Sequence, residues 1–293
     1  MHAHSPRHVL VTGCSTDFGF RTAQALAHRG HTVVAGLREP RGRGRENAEA
    51  LGALATEGLA VRTVPLDVDD DASVAAAMSH ALDYLEGRLD VLVNTAAYAV
   101  MGPLEACRPD QLLAMLNTNV VGALRLFRAA LPTMRAAGRG RIIQLTSGLG
   151  RAAVPFMGVY SASAWAQECF AEVLSYEAAA FGVEVAILEP ANYREGGQPR
   201  KPVGDVDRLA VYQPQLVAFA ERLHQTDEPP DGDLEEVARA VVETVEAEVV
   251  PLRTPIGESA RALLELRARL TADEYEQEIL DRTGLRQFFN REH

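Results

Sequence analysis

Two short runs constrain the fold most. Val91-Leu92-Val93 and Val185-Ala186-Ile187-Leu188 are apolar at every position, without polar alternation. A strand with one wet face alternates, whereas a strand apolar throughout is covered on both faces, the habit of parallel sheets. Further strand-like runs lie at His8 to Thr12, His31 to Leu37, Ala60 to Leu66, Leu89 to Val93 and Arg141 to Thr146. Helical patterns separate them: one follows the first run through Arg29, then Glu46 to Glu57, Ala72 to Leu85, about Pro109 to Ala137, and Gly158 to Phe181. Asp69-Asp70-Asp71 suits the positive end of the helix it opens. Strands alternating with helices predict an α/β fold, a Rossmann-like doubly wound parallel sheet with helices on both faces.

After Pro190 the pattern loosens. Residues 191 to 205, rich in Gly, Pro and charge, read as a mobile loop. A helix from Asp205 to Leu223 reads as a lid, and helices near Leu234 to Glu246, Glu258 to Leu270 and Thr271 to Leu280 finish the chain. The expected organisation is a Rossmann domain over residues 1–250 and a helical C-terminal extension over 251–293 packed on it.

The chain has 293 residues, a net charge of −11 and a 47% hydrophobic share, ample for a buried core. It has no run of eighteen apolar residues, so no membrane span is expected. Acidity without a basic face excludes nucleic acid as the main partner. Cys14, Cys107 and Cys169 are scattered and odd in number, which predicts a reduced, cytoplasmic protein without a bound metal. The N-terminus lacks an apolar signal-peptide core. Cys14 lies in a glycine-containing turn, where it reads as filler.

That turn, Val9-Leu10-Val11-Thr12-Gly13-Cys14-Ser15-Thr16-Asp17-Phe18-Gly19, follows a strand and opens a helix, the setting of a dinucleotide-binding turn. Farther on, Ser147 precedes Tyr160 by thirteen positions, and Tyr160 lies in Val159-Tyr160-Ser161-Ala162-Ser163-Ala164. Together these resemble the short-chain dehydrogenase/reductase family over residues 8 to about 250. The resemblance implies that Gly13 and Gly19 are the first and third glycines of the family turn. It also implies that Arg38 receives a 2′-phosphate and that Asp67 contacts adenine. Asn94, in Asn94-Thr95-Ala96-Ala97, matches the family's motif after the fourth strand. Asn119 matches its helix asparagine, Ser147 the serine that polarises a carbonyl, and Tyr160 the acid/base. Family members commonly form homodimers or homotetramers through two long helices. The tail from Thr254 to Ala260 resembles members acting on hydroxysteroid- or retinol-like alcohols, which implies a bulky apolar small-molecule substrate.

Three positions depart from the family pattern. Asp17 replaces the middle glycine, where a carboxylate opposes a phosphate by about 1 kcal/mol at 4 Å in water and roughly 4 at an effective dielectric of 20. The alternative is that Asp17 caps the next helix. Ala164 stands where the family has a lysine. A free tyrosine ionises near pH 10, roughly, and a nearby ammonium would ease that step, so alanine leaves Tyr160 a proton donor. Arg151, Arg194 or Lys201 are candidates for the missing charge. After Pro190-Ala191, Glu195 takes the place of a threonine.

These departures strike the pyrophosphate, ribose and carboxamide contacts of a nicotinamide cofactor. The expectation is therefore no cofactor or weakly bound NADP(H), and non-redox, acid-assisted chemistry such as dehydration, cyclisation or isomerisation through Ser147 and Tyr160. The alternatives are an NADP(H)-dependent ketone or alcohol oxidoreductase and a non-catalytic binding protein.

Overall fold

Parallel pairing organises the chain. The computed structural model describes residues 5–190, 200–225 and 234–289. Its strands are β1 (His8–Val11), β2 (Thr32–Leu37), β3 (Val61–Pro65), β4 (Val91–Asn94), β5 (Ala99–Met101), β6 (Gly140–Leu145), β7 (Val183–Pro190), β8 (Arg200–Pro202) and β9 (Arg253–Ile256). Its helices are α1 (Asp17–His28), α2 (Arg45–Thr56), α3 (Asp71–Tyr84), α4 (Pro109–Leu116), α5 (Gly122–Ala137), α6 (Gly158–Ala178), α7 (Val206–Val211), α8 (Gln213–Gln225), α9 (Leu234–Glu246), α10 (Glu258–Arg269) and α11 (Ala272–Arg282).

Seven strands form one parallel sheet in the order β3-β2-β1-β4-β6-β7-β9. The order reverses between β1 and β4, and the crevice beyond the strand ends there is where open α/β sheets take ligands. The unbroken apolar runs are explained by their two faces. Val91 and Val93 pack with Val9, Val11, Leu26 and Val241 on one side, while Leu92 packs with Leu10, Leu126 and Ile142 on the other. Asp70 caps α3, its side chain accepting from Ser73 N at 2.9 Å.

Four features differ from the expectation. The helix expected over 109–137 is interrupted by a π-turn at Asn117–Val121. Gly122, which follows, presses on Val68 so closely that a Cβ there would lie 2.9 Å from Val68 Cβ. The helix expected over 205–223 breaks at Tyr212. Pro214 has no N–H to continue the ladder, so a new helix starts. The end of the expected loop forms β8, which pairs with β5, while residues 191–199 lie outside the described residues. Finally, β9 adds an edge strand beyond residue 250. Arg253-Thr254-Pro255-Ile256 has no strand-like apolar run, and its proline suits an edge.

The terminal helices close over the end of β6. Leu264, Leu266, Tyr275 and Ile279 pack around Ala152, and Tyr275 donates to Ala153 O at 3.1 Å. Among the described residues no helix is long and apolar enough to cross a membrane.

Candidate active site

The turn between β1 and α1 is built by close contact. Gly13 has φ +72°, and a Cβ on it would lie 2.6 Å from Thr95 Oγ1. A Cβ on Gly19 would lie 2.6 Å from Gly13 C, so α1 starts flush against the turn. Thr16 holds the cap position, but its hydroxyl donates back to Gly13 O at 2.9 Å and caps no helix N–H. Asp17 takes the first helical position, where an acid suits the dipole; it is not the cap residue. Cys14 is fully buried, and burial pushes its thiol far up, which makes it inert filler.

The neighbouring strand ends supply the rest of the groove. Ser15 Oγ donates to Arg38 O at 2.9 Å, tying the turn to the end of β2. Arg38 is half exposed and lies 3.9 Å from Asp69. Asp67 accepts from Asp69 N at 3.1 Å, which shapes the end of β3. Asn94 is buried and straps three strands: its Oδ1 accepts from Thr12 Oγ1 at 2.7 Å, and its Nδ2 donates to Gln144 Oε1 at 2.8 Å. A glycine turn, an uncapped helix N-terminus and Arg38 meet at the switch point, an arrangement that fits a dinucleotide.

The other end of the crevice holds the polar trio. Asn119 sits in the π-turn with no exposed surface. Its Nδ2 donates to Tyr98 O at 2.9 Å and to Ser163 Oγ at 3.0 Å, and its Oδ1 accepts from Tyr98 N at 3.0 Å. Ser163 Oγ donates to Tyr160 O at 2.8 Å. Ser147 Oγ accepts from Leu149 N at 3.2 Å, and Leu149 packs on the apolar cluster that contains Tyr160. The segments that carry the trio, the turn after β6, α6 and the π-turn, therefore pack together.

Ala164 is fully buried, and a Cβ on Gly150 would lie 3.2 Å from Ala164 O. Of the candidate substitute cations, Arg151 pairs with Glu189 at 3.1 Å. Lys201 stacks over the Tyr98 ring at 4.3 Å. Arg194 and Glu195 lie outside the described residues.

Two groups of residues escaped the sequence reading. Tyr98 and Ser163 complete the Asn119 clamp, and only the fold brings them to it. Beside Ser147, Thr146 Oγ1 donates to Glu168 Oε1 at 2.5 Å, while Arg253 bonds Glu168 at 2.9 Å and also pairs with Glu172. Burial, reinforced by the Glu168 charge, raises the Glu189 carboxyl, and Arg151 opposes that shift. One signal was available: Glu189 is an acid ending an apolar strand, and buried charges need partners.

A model of the short chain dehydrogenase family matches residues 7–196. Retinol dehydrogenase 8 of Bos taurus is 31% identical over 280 residues, covering 91% of this chain and 86% of that protein. A 3-ketodihydrosphingosine reductase of Bacteroides thetaiotaomicron is 29% identical over 258 residues, covering 88% and 90%. Among solved structures, a gluconate 5-dehydrogenase from Burkholderia cenocepacia in complex with NADP and tartrate superposes with a TM-score of 0.72 at 21% identity, covering 89% of this chain and 97% of that one.

These findings correct two expectations. The expectation of no cofactor, or of weakly bound NADP(H), is overturned: a chain of the same fold carries NADP. Physically, the β1–α1 turn closes on Gly13 and Gly19 despite Asp17. The preference for non-redox chemistry finds no support, because the relatives are a dehydrogenase and a reductase. The chain belongs to the short-chain dehydrogenase/reductase family.

Proposed function

We propose that this chain is a nicotinamide-dependent oxidoreductase that interconverts the carbonyl and alcohol of a bulky apolar small molecule, with NADP(H) favoured by Arg38. The observation that carries the reading is the Asn119 junction. A buried amide is costly unless its polar atoms are bonded. Here they are, and the bonds run to Tyr98 and to Ser163, whose hydroxyl holds the backbone of Tyr160. The junction thus fixes the phenol-bearing turn of α6 against the end of the sheet.

In this reading Gly13, Gly19 and the start of α1 hold the pyrophosphate, Arg38 the 2′-phosphate and Asp67 the adenosine, while Asn94 keeps the strand ends in register. A bound nicotinamide supplies or accepts the hydride. Tyr160 gives its hydroxyl proton to the substrate oxygen as the carbonyl is reduced. Ser147 donates to that same oxygen and stabilises the charge that gathers on it. With Ala164 offering no charge one helical turn on, reduction is the favoured direction near neutral pH.

Relatives named for retinol and for 3-ketodihydrosphingosine support an apolar substrate. The helices α10 and α11, beyond the sheet's last strand, act as the extension that covers the segment after β6. Exposed Leu124 on α5 and Trp165, Val173 and Tyr176 on α6 support a homo-oligomer formed through these helices.

Titrating the purified protein with NADPH and NADH tests the reading, and the absence of binding by either would overturn it. The change Tyr160→Phe should leave nucleotide affinity intact and lower turnover at least about 100-fold.

A further inference from the structure

Asp69 is placed where a 2′-phosphate would compete with it. Its Oδ2 lies 3.9 Å from Arg38 Nη1 and accepts from Thr118 Oγ1 at 3.0 Å. Its Oδ1 is buried without a hydrogen-bond partner among the described residues. The other carboxylates of this corner have different duties. Asp67 shapes its own turn, Asp70 caps α3, and Asp71 pairs with Arg125 at 2.9 Å. Tyr98 reports the same corner, since burial and then the Asp69 charge raise its phenol while Arg38 opposes them. Asp69 is thus the acid that faces Arg38, and Thr118, next to Asn119 in the π-turn, holds it there.

We propose that Asp69 is a specificity-determining residue: by holding Arg38 and presenting a negative charge beside it, Asp69 restrains the chain's preference for nucleotides that carry a 2′-phosphate. The inference rests on the nicotinamide reading and goes beyond it. Arg38 alone would select strongly for a 2′-phosphate. Paired with Asp69, it must exchange one anion for another, and the incoming phosphate meets the carboxylate that remains.

The experiment compares 2′,5′-ADP with 5′-AMP by calorimetry on the full chain. Asp69→Asn keeps an acceptor for Thr118 and removes the charge. It should tighten 2′,5′-ADP about three- to tenfold and leave 5′-AMP within about twofold, with the gain shrinking as salt rises. Arg38→Ala should weaken 2′,5′-ADP and spare 5′-AMP. A merely structural Asp69 would change both ligands alike, and that result, or an unchanged ratio, overturns the proposal while the nicotinamide reading stands. If the wild-type chain binds neither ligand, both fall. Asp69→Ser removes the same charge and gives the same test if the asparagine variant fails to fold.

Discussion

Asn119 and Ser163 meet at 3.0 Å, side chain to side chain, although 44 residues separate them. That one contact joins the π-turn to α6, and Ser163 passes it to the backbone of Tyr160 at 2.8 Å. A helix that continued without the π-turn would rotate Asn119 away from both partners, because each helical residue turns the face by about 100°. The irregularity is what brings the amide to the site.

Asn119→Ala should therefore injure both folding and turnover. It leaves the backbone groups of Tyr98 and the Ser163 hydroxyl without their partner in a dry place. The expected loss is about 2–3 kcal/mol, read by urea denaturation. Turnover should fall more than nucleotide affinity, because the clamp fixes Tyr160 and lies away from Gly13 and Arg38.

Ala164→Lys restores a cation four residues after Tyr160 on the same helix face. The pH–rate profile for alcohol oxidation should then move down by about 1–3 pH units. Ala164 is fully buried, so the lysine must extend towards the crevice. An unshifted profile would show that its ammonium does not reach the phenol.

Glu189 gives a prediction in pH. Burial raises its carboxyl above the ordinary 4.5 in the folded chain. A carboxyl raised on folding adds stability below its unfolded value and loses it as pH climbs through the folded one. Glu189→Gln carries no such charge, so its melting temperature relative to wild type should rise as the pH climbs above the ordinary 4.5. The opposite trend would mean that the Arg151 pair outweighs burial.

Val173 is exposed in the C-terminal half of α6, between Trp165 and Tyr176. Val173→Glu should shift the assembly towards monomer in light scattering, while leaving the melting of the single chain within about 0.5 kcal/mol. An unchanged mass would place the oligomer contact elsewhere.

Much of this was legible in the residues. The apolar runs of β4 and β7 announced a sheet covered on both faces, and Gly13 and Gly19 announced the turn. Ser147 and Tyr160 were nominated through the family resemblance that their spacing carries. The step from Asp17, Ala164 and Glu195 to a chain without a firmly bound nicotinamide is what the comparisons overturned. It gave the carboxylate of Asp17 more weight than the close packing of Gly13 and Gly19, which the structure retains. Tyr98 and Ser163 carried no mark, being an ordinary aromatic after a strand and a serine on a helix.

Local pattern records how each residue meets water and how each turn of backbone must bend, and those demands specify the six strands β1–β4, β6 and β7, most of the helices and the glycine turn of this chain. Pairing at a distance is different. The edge strand β9, the Asn119–Ser163 contact and the Arg38–Asp69 pair all join segments far apart in the chain. They exist because a packed sheet brings those segments within hydrogen-bonding reach, where single contacts of a few ångströms decide what a polar side chain does.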